Sequence, residues 1–145
     1  MRREFVMEGY KFSHTLRVRY SEIDGQKIVF NAHYMTYMDV AITEYFREVI
    51  RPFLNGIEFD FVLAKTTIEF KGSAYLDDIL HIHCRTSRLG NSSFTVQFAI
   101  ERDETKEVIV LAEIVYVSYD LATRKAVPIP KAVRERIKSF EGIEY

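Results

Sequence analysis

A short stretch near the amino terminus, SEIDGQKIVFNAHYMTYMDV from Ser21 to Val40, brings together several side chains that can take part in catalysis. It contains Asp24, followed by Gly25, and then Asn31 and His33 close to a predicted helix start. One interpretation is structural: an Asp-Gly pair turns the chain, because the Asp side chain bonds nearby backbone and Gly tolerates a positive φ. The other is chemical: Asp24 faces a reactive carbonyl group held at the start of the helix. These residues alone leave both interpretations open.

The segments on either side of this stretch predict a strand and a long helix. In HTLRVRYSE, the apolar residues Leu16, Val18 and Tyr20 alternate with arginines, which is the period of a strand with one wet face. Apolar residues then return every three or four positions from Tyr34 to Ile50, which predicts one helix with a wide apolar face. Pro52 ends this helix, because the residue before a proline is pushed out of the helical conformation.

The remainder of the chain predicts about four more antiparallel strands and a short closing helix. The strand segments are FVLAKTTIEF, DILHIHCRTSRL, SSFTVQFAIER and EVIVLAEIVYVSYD, and turn-forming residues separate them. The last strand is apolar on both faces apart from Glu113, so we expect it to be central and covered on each face. KAVRERIKSF is predicted to be an amphipathic helix. This order predicts an α+β fold, in which an antiparallel sheet of about five strands wraps around one long helix.

Length and composition are typical of a single globular domain over residues 1–145. The chain is 48% hydrophobic and 28% charged, and its 20 basic residues nearly balance its 21 acidic residues. A nucleic-acid partner is not expected, because no cluster of basic residues is visible. Cys84 is the only cysteine, and MRREFVMEGYKF lacks the apolar run of a signal peptide or a membrane span. We therefore expect a cytoplasmic protein.

The stretch around Asp24 resembles the hotdog-fold acyl-CoA thioesterases, in particular the branch that includes 4-hydroxybenzoyl-CoA thioesterase. The segment that resembles the family most specifically is RVRYSEIDGQKIVFNAHYMTYMDVAITEYFR. In the family pattern a strand is followed by an Asp, a short loop, a Val next to an aromatic residue, and a helix that begins with Asn/His-x-Asn/His-Tyr. IEFKGSAYLDDILHIHC, RLGNSSFTVQFAIER and YDLATRKAVPIP resemble its later strands and closing segment. The resemblance implies a hotdog fold along nearly the whole chain and hydrolysis of an acyl-CoA thioester to a free acid and CoA, with no cofactor and no metal.

The resemblance also implies roles for individual residues. Asp24 stands where the family has its catalytic carboxylate, which serves as a general base on water or as a nucleophile. Asn31 is expected to begin the helix, where an unpaired backbone N–H and the positive end of the helix dipole polarise the thioester carbonyl. His33 belongs to the same motif. Tyr34, Tyr37 and Met38 are expected at the acyl group.

Two later turns, SRLGNSS and Thr123–Lys125, combine basic side chains with free backbone N–H groups, which favour phosphates. The nucleotide of CoA is therefore expected near Arg88, Asn91, Ser92 and Arg124. The alternative is that Gly90-Asn91 is only a hairpin turn and Arg88 a solvated charge.

Two positions depart from the commoner family pattern, which has Gly at Lys27 and His at Asn31. If the loop requires a positive φ at Lys27, its side chain is strained there, unless Gly25 supplies the turn instead. Asn is a good N-cap residue, so the structural role expected of the Asn31 side chain is to close the first helical turn.

Three other side chains lie together on a later predicted strand. His81 and His83 point to one face and follow Asp77 and Asp78, which is ligand-like spacing, but no third ligand lies at a confirming distance. We therefore expect no metal there and predict a wet or subunit-facing strand surface. Cys84 points the other way and is expected to be a buried small hydrophobe.

Other functions remain open from the sequence. A hotdog hydratase or dehydratase would carry its catalytic groups on the helix, where Asp39 and Glu44 are candidates otherwise expected to form a polar stripe. A non-catalytic module that binds acyl thioesters is the third class, and an acyl carrier protein thioester could replace acyl-CoA. Because a hotdog protomer exposes a long sheet edge, we expect a homodimer or a homotetramer.

Overall fold

The chain crosses the face of its own sheet between its first two strands. β1 (Phe12–Arg17) and β2 (Phe61–Phe70) are consecutive, yet they occupy opposite edges of a sheet with the order β1-β3-β4-β5-β2. The segment between them must therefore pass over one face of the sheet, and it does so as helix α1 (His33–Tyr45). The computed structural model describes residues 7–145.

The other strands are antiparallel neighbours along the chain. They are β3 (Ile79–Leu89), β4 (Ser93–Arg102) and β5 (Val108–Asp120), and a two-residue strand β6 (Lys125–Ala126) pairs with the end of β5. Helix α2 (Lys131–Glu141) closes the fold. The predicted α+β architecture is confirmed, with β6 as an addition that the sequence pattern did not reveal. Within the described range, no helix is both long and apolar enough to cross a lipid bilayer.

Helix α1 supplies the centre of the core. After Tyr45 the helix continues as one wider turn, Phe46–Ile50, and a tight turn at Arg51–Phe53, which contains Pro52. Its inward residues pack against the apolar inner face of the sheet; those with the least exposure are Tyr34, Tyr37, Met38, Ala41, Ile42, Tyr45, Phe46 and Ile50. The predicted long helix with a wide apolar face is confirmed.

Strand β5 is central, as predicted, but it is not covered on both faces. Its inward residues, among them Ile114 and Tyr116, are buried beneath α1. On the outer face Glu113 is exposed, and Leu111 and Val115 are only half-buried. The prediction of cover on each face is therefore wrong for the single protomer, because the long helix packs on the inner face alone.

Candidate active site

The loop that carries Asp24 is a tight turn fixed by its own backbone. The Asp24 N–H donates to the Ile28 carbonyl (2.9 Å), and the Lys27 N–H donates to the Asp24 carbonyl (2.9 Å). One carboxylate oxygen, Oδ1, accepts a bond from the Gln26 N–H (2.8 Å), as in an Asx-turn. Within residues 7–145 the other oxygen, Oδ2, has no hydrogen-bond donor. One oxygen of Asp24 therefore shapes the turn, and the other is available.

Lys27, and not Gly25, takes the left-handed conformation in this turn, with a φ of 66°. A side chain with a Cβ is strained there, since its Cβ approaches the following carbonyl oxygen. The alternative that Gly25 would supply the positive φ is wrong. The strained residue thus lies three positions after Asp24, in the same turn.

Helix α1 begins at His33, so the prediction that Asn31 begins it is wrong by two residues. The chain enters the helix through hydrogen bonds between residues three positions apart. The His33 N–H donates to the Phe30 carbonyl (2.9 Å), and the Tyr34 N–H donates to the Asn31 carbonyl (3.3 Å). Ala32 occupies the cap position, and no side chain of the described residues caps the helix, so the expected capping role of the Asn31 side chain is also wrong. Among the described residues, the backbone N–H groups of Asn31 and Ala32 have no acceptor. The backbone donor expected at Asn31 is therefore present in the turn that leads into the helix.

Ala74, in the connection between β2 and β3, holds the loop against the helix. Its carbonyl accepts the Val29 N–H (2.9 Å), and its N–H donates to the Tyr34 hydroxyl oxygen (3.0 Å). Sequence patterns did not indicate this residue, because its role depends on two backbone groups and not on its methyl side chain. The two bonds fix the approach of the Asp24 loop to the first turn of α1.

Glu22 is a second acid of the site that sequence reasoning missed. It is buried, and its carboxylate accepts bonds from Arg19 and from the Tyr37 hydroxyl (2.8 Å). Burial opposes its ionisation, but the bonds from the Arg19 backbone, the Arg19 guanidinium and Tyr37 together outweigh burial and lower the pKa of Glu22. The three-residue spacing of Arg19 and Glu22 was the one available signal, and it gives no information on burial.

The residues expected at the acyl group differ in their exposure. His33 is partly exposed, and its ring meets the exposed Phe30 ring edge-on (6.2 Å between centroids). Tyr34, Tyr37 and Met38 are buried in the protomer core. The Tyr37 ring also lines a cavity of about 220 Å³ between β1 and α1, together with Leu16 and Val40.

The residues expected near the nucleotide of CoA lie at the other end of the sheet. Arg88 is exposed near the end of β3, whereas the loop of Asp24 is tied to Ala74, ahead of the start of that strand. An eleven-residue strand spans roughly 30 Å, so the two groups are far apart within one protomer. The Asn91 carbonyl accepts the Ile129 N–H (2.9 Å), and the Ser92 carbonyl accepts the Ser118 N–H (2.7 Å).

Arg124 lies at the same end of the sheet as Arg88. It sits in the turn between β5 and β6 with a φ of 58°, and its N–H donates to the Asp120 carbonyl (2.7 Å). Its side chain is exposed. The structure thus brings Arg124 and the Gly90–Ser92 turn to one end of the protomer and the Asp24 loop to the other.

The two histidines of β3 are buried and not on a wet surface, so that part of the prediction is wrong. His81 Nε2 is 2.8 Å from Asp103 Oδ1, and His83 Nε2 is 2.9 Å from Glu101 Oε1. These carboxylates come from β4 and the turn after it, which the sequence pattern could not place beside the histidines. Asp78 instead pairs with Arg102 (2.9 Å).

Within residues 7–145, no group of three or more His, Cys, Asp or Glu side chains is arranged to hold a metal ion. Cys84 is fully buried on the opposite face of β3, as predicted, and burial raises the pKa of its thiol well above the usual value. The sulfur is therefore a packing atom and not a nucleophile.

The carboxylates on the helix belong to its polar side. Asp39 is exposed, and Glu44 forms an ion pair with Arg47 one turn further along. Both positions fit the predicted polar stripe. The available Asp24 oxygen and, among the described residues, the unpaired N–H groups of Asn31 and Ala32 instead lie in one loop before α1. A carboxylate and unpaired backbone N–H groups are the kinds of group that attack a carbonyl carbon and bind its oxygen.

Comparison with known proteins identifies the family of this chain. The family described as the Thioesterase superfamily matches residues 26–109, which is more than half of the chain. The acyl-CoA thioester hydrolase YbgC of Escherichia coli is 29% identical over 130 residues, which cover 88% of this chain and 96% of that protein.

Solved structures share the whole fold. A thioesterase of Thermus thermophilus, solved in complex with coenzyme A and Zn, is 28% identical with a TM-score of 0.83, covering 96% of this chain and 100% of that one. The 1,4-dihydroxy-2-naphthoyl-CoA thioesterase Slr0204 of Synechocystis is 19% identical with a TM-score of 0.75, covering 87% and 94%, so it supports the fold alone. The sheet wrapped around α1, the match to the family and the similarity to YbgC together establish that this chain belongs to the thioesterase superfamily and is a thioester hydrolase of the hotdog fold.

Proposed function

We propose that the protein hydrolyses acyl-CoA thioesters to a free carboxylic acid and CoA, with Asp24 as the acting carboxylate. The observation that carries the proposal is the available Oδ2 of Asp24, in a loop that also contains the unpaired N–H of Asn31. The resemblance to YbgC and to the coenzyme A complex supports CoA as the thiol carrier. An acyl carrier protein thioester is the alternative carrier.

The reaction follows from these groups. The N–H of Asn31 donates to the carbonyl oxygen and stabilises the negative charge that develops there. Asp24 either removes a proton from water, which attacks the carbonyl carbon, or attacks it directly to form an anhydride that water then hydrolyses. In both routes the carbon–sulfur bond breaks, the thiolate takes a proton and the acyl group gains one oxygen from water. His33, at the first helical residue, is proposed to line the same carbonyl site, and Tyr34, Tyr37 and Met38 to bound the acyl end.

A dimer would bring the two ends of the sheet together. Within residues 7–145, β2 pairs with β5 alone, and the strand carries the exposed residues Val62, Leu63 and Phe70. Antiparallel pairing of two β2 edges about a two-fold axis sets the Phe61 end of one protomer beside the Phe70 end of its partner. The nucleotide residues of one protomer would then face the Asp24 loop of the other. We propose a homodimer on this basis, with a homotetramer as a further assembly, in a cytoplasmic, single-domain protein.

The decisive experiment is thiol release, followed with a disulfide reagent, across acyl-CoAs from acetyl to palmitoyl and benzoyl. The Asp24→Asn variant should lose roughly 10²–10⁴-fold in kcat, because an amide neither accepts a proton near neutral pH nor attacks a thioester. Its Tm should change little, since Asn keeps the oxygen that accepts the Gln26 N–H. A variant that melts normally and hydrolyses within a few-fold of the parent would exclude Asp24 and direct attention to Asp39 and Glu44.

The nucleotide contacts are tested by charge reversal. Arg124→Glu and Arg88→Glu should each raise KM by more than they lower kcat, because these contacts act far from the bond that breaks. The matched control is Arg47→Glu, an exposed arginine in the wider turn that follows α1. If KM is unchanged in both variants, the nucleotide lies elsewhere.

A further inference from the structure

Glu22 is a buried acid beside the Asp24 loop that the proposed reaction does not use. Its side chain is 5% exposed. Oε1 accepts the Arg19 backbone N–H (2.8 Å) and the Tyr37 hydroxyl (2.8 Å), and Oε2 accepts Nε (2.9 Å) and Nη2 (2.7 Å) of Arg19. Four donors occupy the two oxygens, so no lone pair of this carboxylate is directed at a substrate. Glu22 does not take part in the chemistry directly.

The bonds of Glu22 join three segments that build the site. Through Tyr37 its side chain is tied to α1, one turn after His33. Its backbone carbonyl accepts the N–H of Phe30 (3.0 Å), the residue immediately before Asn31. Glu22 itself stands two residues before Asp24. Asp24, which carries the available oxygen, therefore lies two residues after Glu22. Asn31, which carries the unpaired N–H, directly follows Phe30, whose N–H bonds the Glu22 carbonyl.

We propose that Glu22 is a positioning residue that sets the separation between the Asp24 carboxylate and the Asn31 N–H, so that both act on one thioester carbonyl. This inference rests on the proposed function, since it assigns Glu22 to that reaction. A misplacement of about 1 Å between reacting groups can cost on the order of 10²-fold in rate. Oε1 holds α1 through the buried hydroxyl of Tyr37, and Oε2 holds the chain before the loop through the guanidinium of Arg19.

The far end of the same helix provides a matched control. The hydroxyl of Tyr45, which is fully buried, donates to the buried Glu141 (2.7 Å), eight residues beyond Tyr37. Tyr37→Phe and Tyr45→Phe each remove a buried tyrosine–glutamate bond from the same helix, and Tyr45→Phe also removes a bond with the Thr86 hydroxyl (3.1 Å). Only the first removal lies beside the Asp24 loop.

The experiment compares kcat, KM and Tm for the parent, Glu22→Gln, Tyr37→Phe, their double variant and Tyr45→Phe. Glu22→Gln should lower kcat by roughly 10–100-fold with KM within about two-fold, because its amide donors face the donors of Arg19 and displace the loop. The double variant should be no slower than Glu22→Gln, since the two residues act as one unit. Tyr45→Phe should lower Tm by roughly 3–5 °C, as Tyr37→Phe does, and leave kcat unchanged.

Amide hydrogen exchange gives a readout that does not depend on activity. The bonded N–H groups of Asp24, Lys27 and Phe30 should exchange at least ten-fold faster in Glu22→Gln and at the parent rate in Tyr45→Phe. If Glu22→Gln keeps kcat within three-fold of the parent, or if exchange in the loop is unchanged, the positioning role is excluded. A parent that releases no thiol would instead overturn the proposed function, and the exchange rates would still decide whether Glu22 holds the loop.

Discussion

The two interpretations of Asp24 that the sequence left open, a structural one and a chemical one, do not exclude each other. Oδ1 accepts the Gln26 N–H and stabilises the turn, while Oδ2 has no donor among the described residues. A carboxylate can do both because its two oxygens point in different directions. The turn therefore fixes the direction of the oxygen that has no donor, and the structural and the chemical interpretations of Asp-Gly are compatible.

The same turn stores strain at Lys27, whose φ is 66°. Lys27→Gly should raise the free energy of unfolding by about 0.5–1 kcal/mol, because relief of the left-handed strain exceeds the extra entropy of Gly in the unfolded chain. Urea titration of the parent and the variant measures the difference. The matched control is Gln26→Gly, which has no positive φ to relieve and should be neutral or destabilising. Equal effects of the two substitutions would show that the backbone of Lys27 is not strained.

At the scale of elements, the outer face where β3 and β4 pair contains a buried polar cluster. His83 is 1% exposed and bonds Glu101, with His81 beside it at 6.4 Å between ring centroids. Burial lowers the pKa of His83, and the bond to Glu101 offsets only part of this effect. His83 therefore binds a proton less readily in the folded chain than in the unfolded chain.

This difference predicts a pH-dependent stability. The pKa of histidine in the unfolded chain is about 6.5, so as the pH falls through this value the unfolded state binds a proton before the folded state does. The contribution of His83 to the free energy of unfolding should therefore be complete above about pH 6.5 and should decrease as the pH falls towards the lower pKa of the folded state. Tm measured from pH 8 to 5 should decline less steeply in His83→Gln than in the parent, whatever the absolute Tm of the variant. His14→Gln, on the partly exposed side of β1, is the control. Parallel curves for the parent and His83→Gln would contradict the prediction.

At the scale of the whole molecule, strand β2 lies at an edge of the sheet, and no strand within residues 7–145 pairs with its outer side. Its unpaired backbone groups and the exposed side chains of Leu63 and Phe70 favour pairing with a second copy. Because the Asp24 loop and Arg124 lie at opposite ends of one protomer, we expect that a complete substrate site also requires the second copy.

Light scattering should therefore give at least a dimer at micromolar concentration. Leu63→Asp should shift the protein towards monomer and lower activity more at low protein concentration than at high, because the substitution places a charge at the edge. The control is Ile143→Asp, which changes an apolar residue of similar exposure near the carboxyl terminus. A stable monomer with full activity would exclude both the dimer and the shared site.

Local patterns were sufficient for most of the fold. The period of the apolar residues between Tyr34 and Ile50 determined the long helix, and the strand runs with their turns determined the antiparallel sheet, because both depend on near neighbours in sequence. The resemblance of the stretch around Asp24 predicted a hotdog thioesterase, and the match to the superfamily confirms it.

The tertiary structure decided what depends on contacts between distant segments. The position of the Asp24 loop depends on Ala74, from the connection between β2 and β3, and the burial of His83 depends on Glu101 from the neighbouring strand. The burial of Glu22 likewise depends on Tyr37, fifteen residues away on α1. Periodicity carries no information about such pairs, since it reports which face a residue occupies and not which group lies opposite. The sequence therefore determined the fold, the family and the candidate carboxylate, whereas only the folded chain determined which of its two oxygens is available and what holds it.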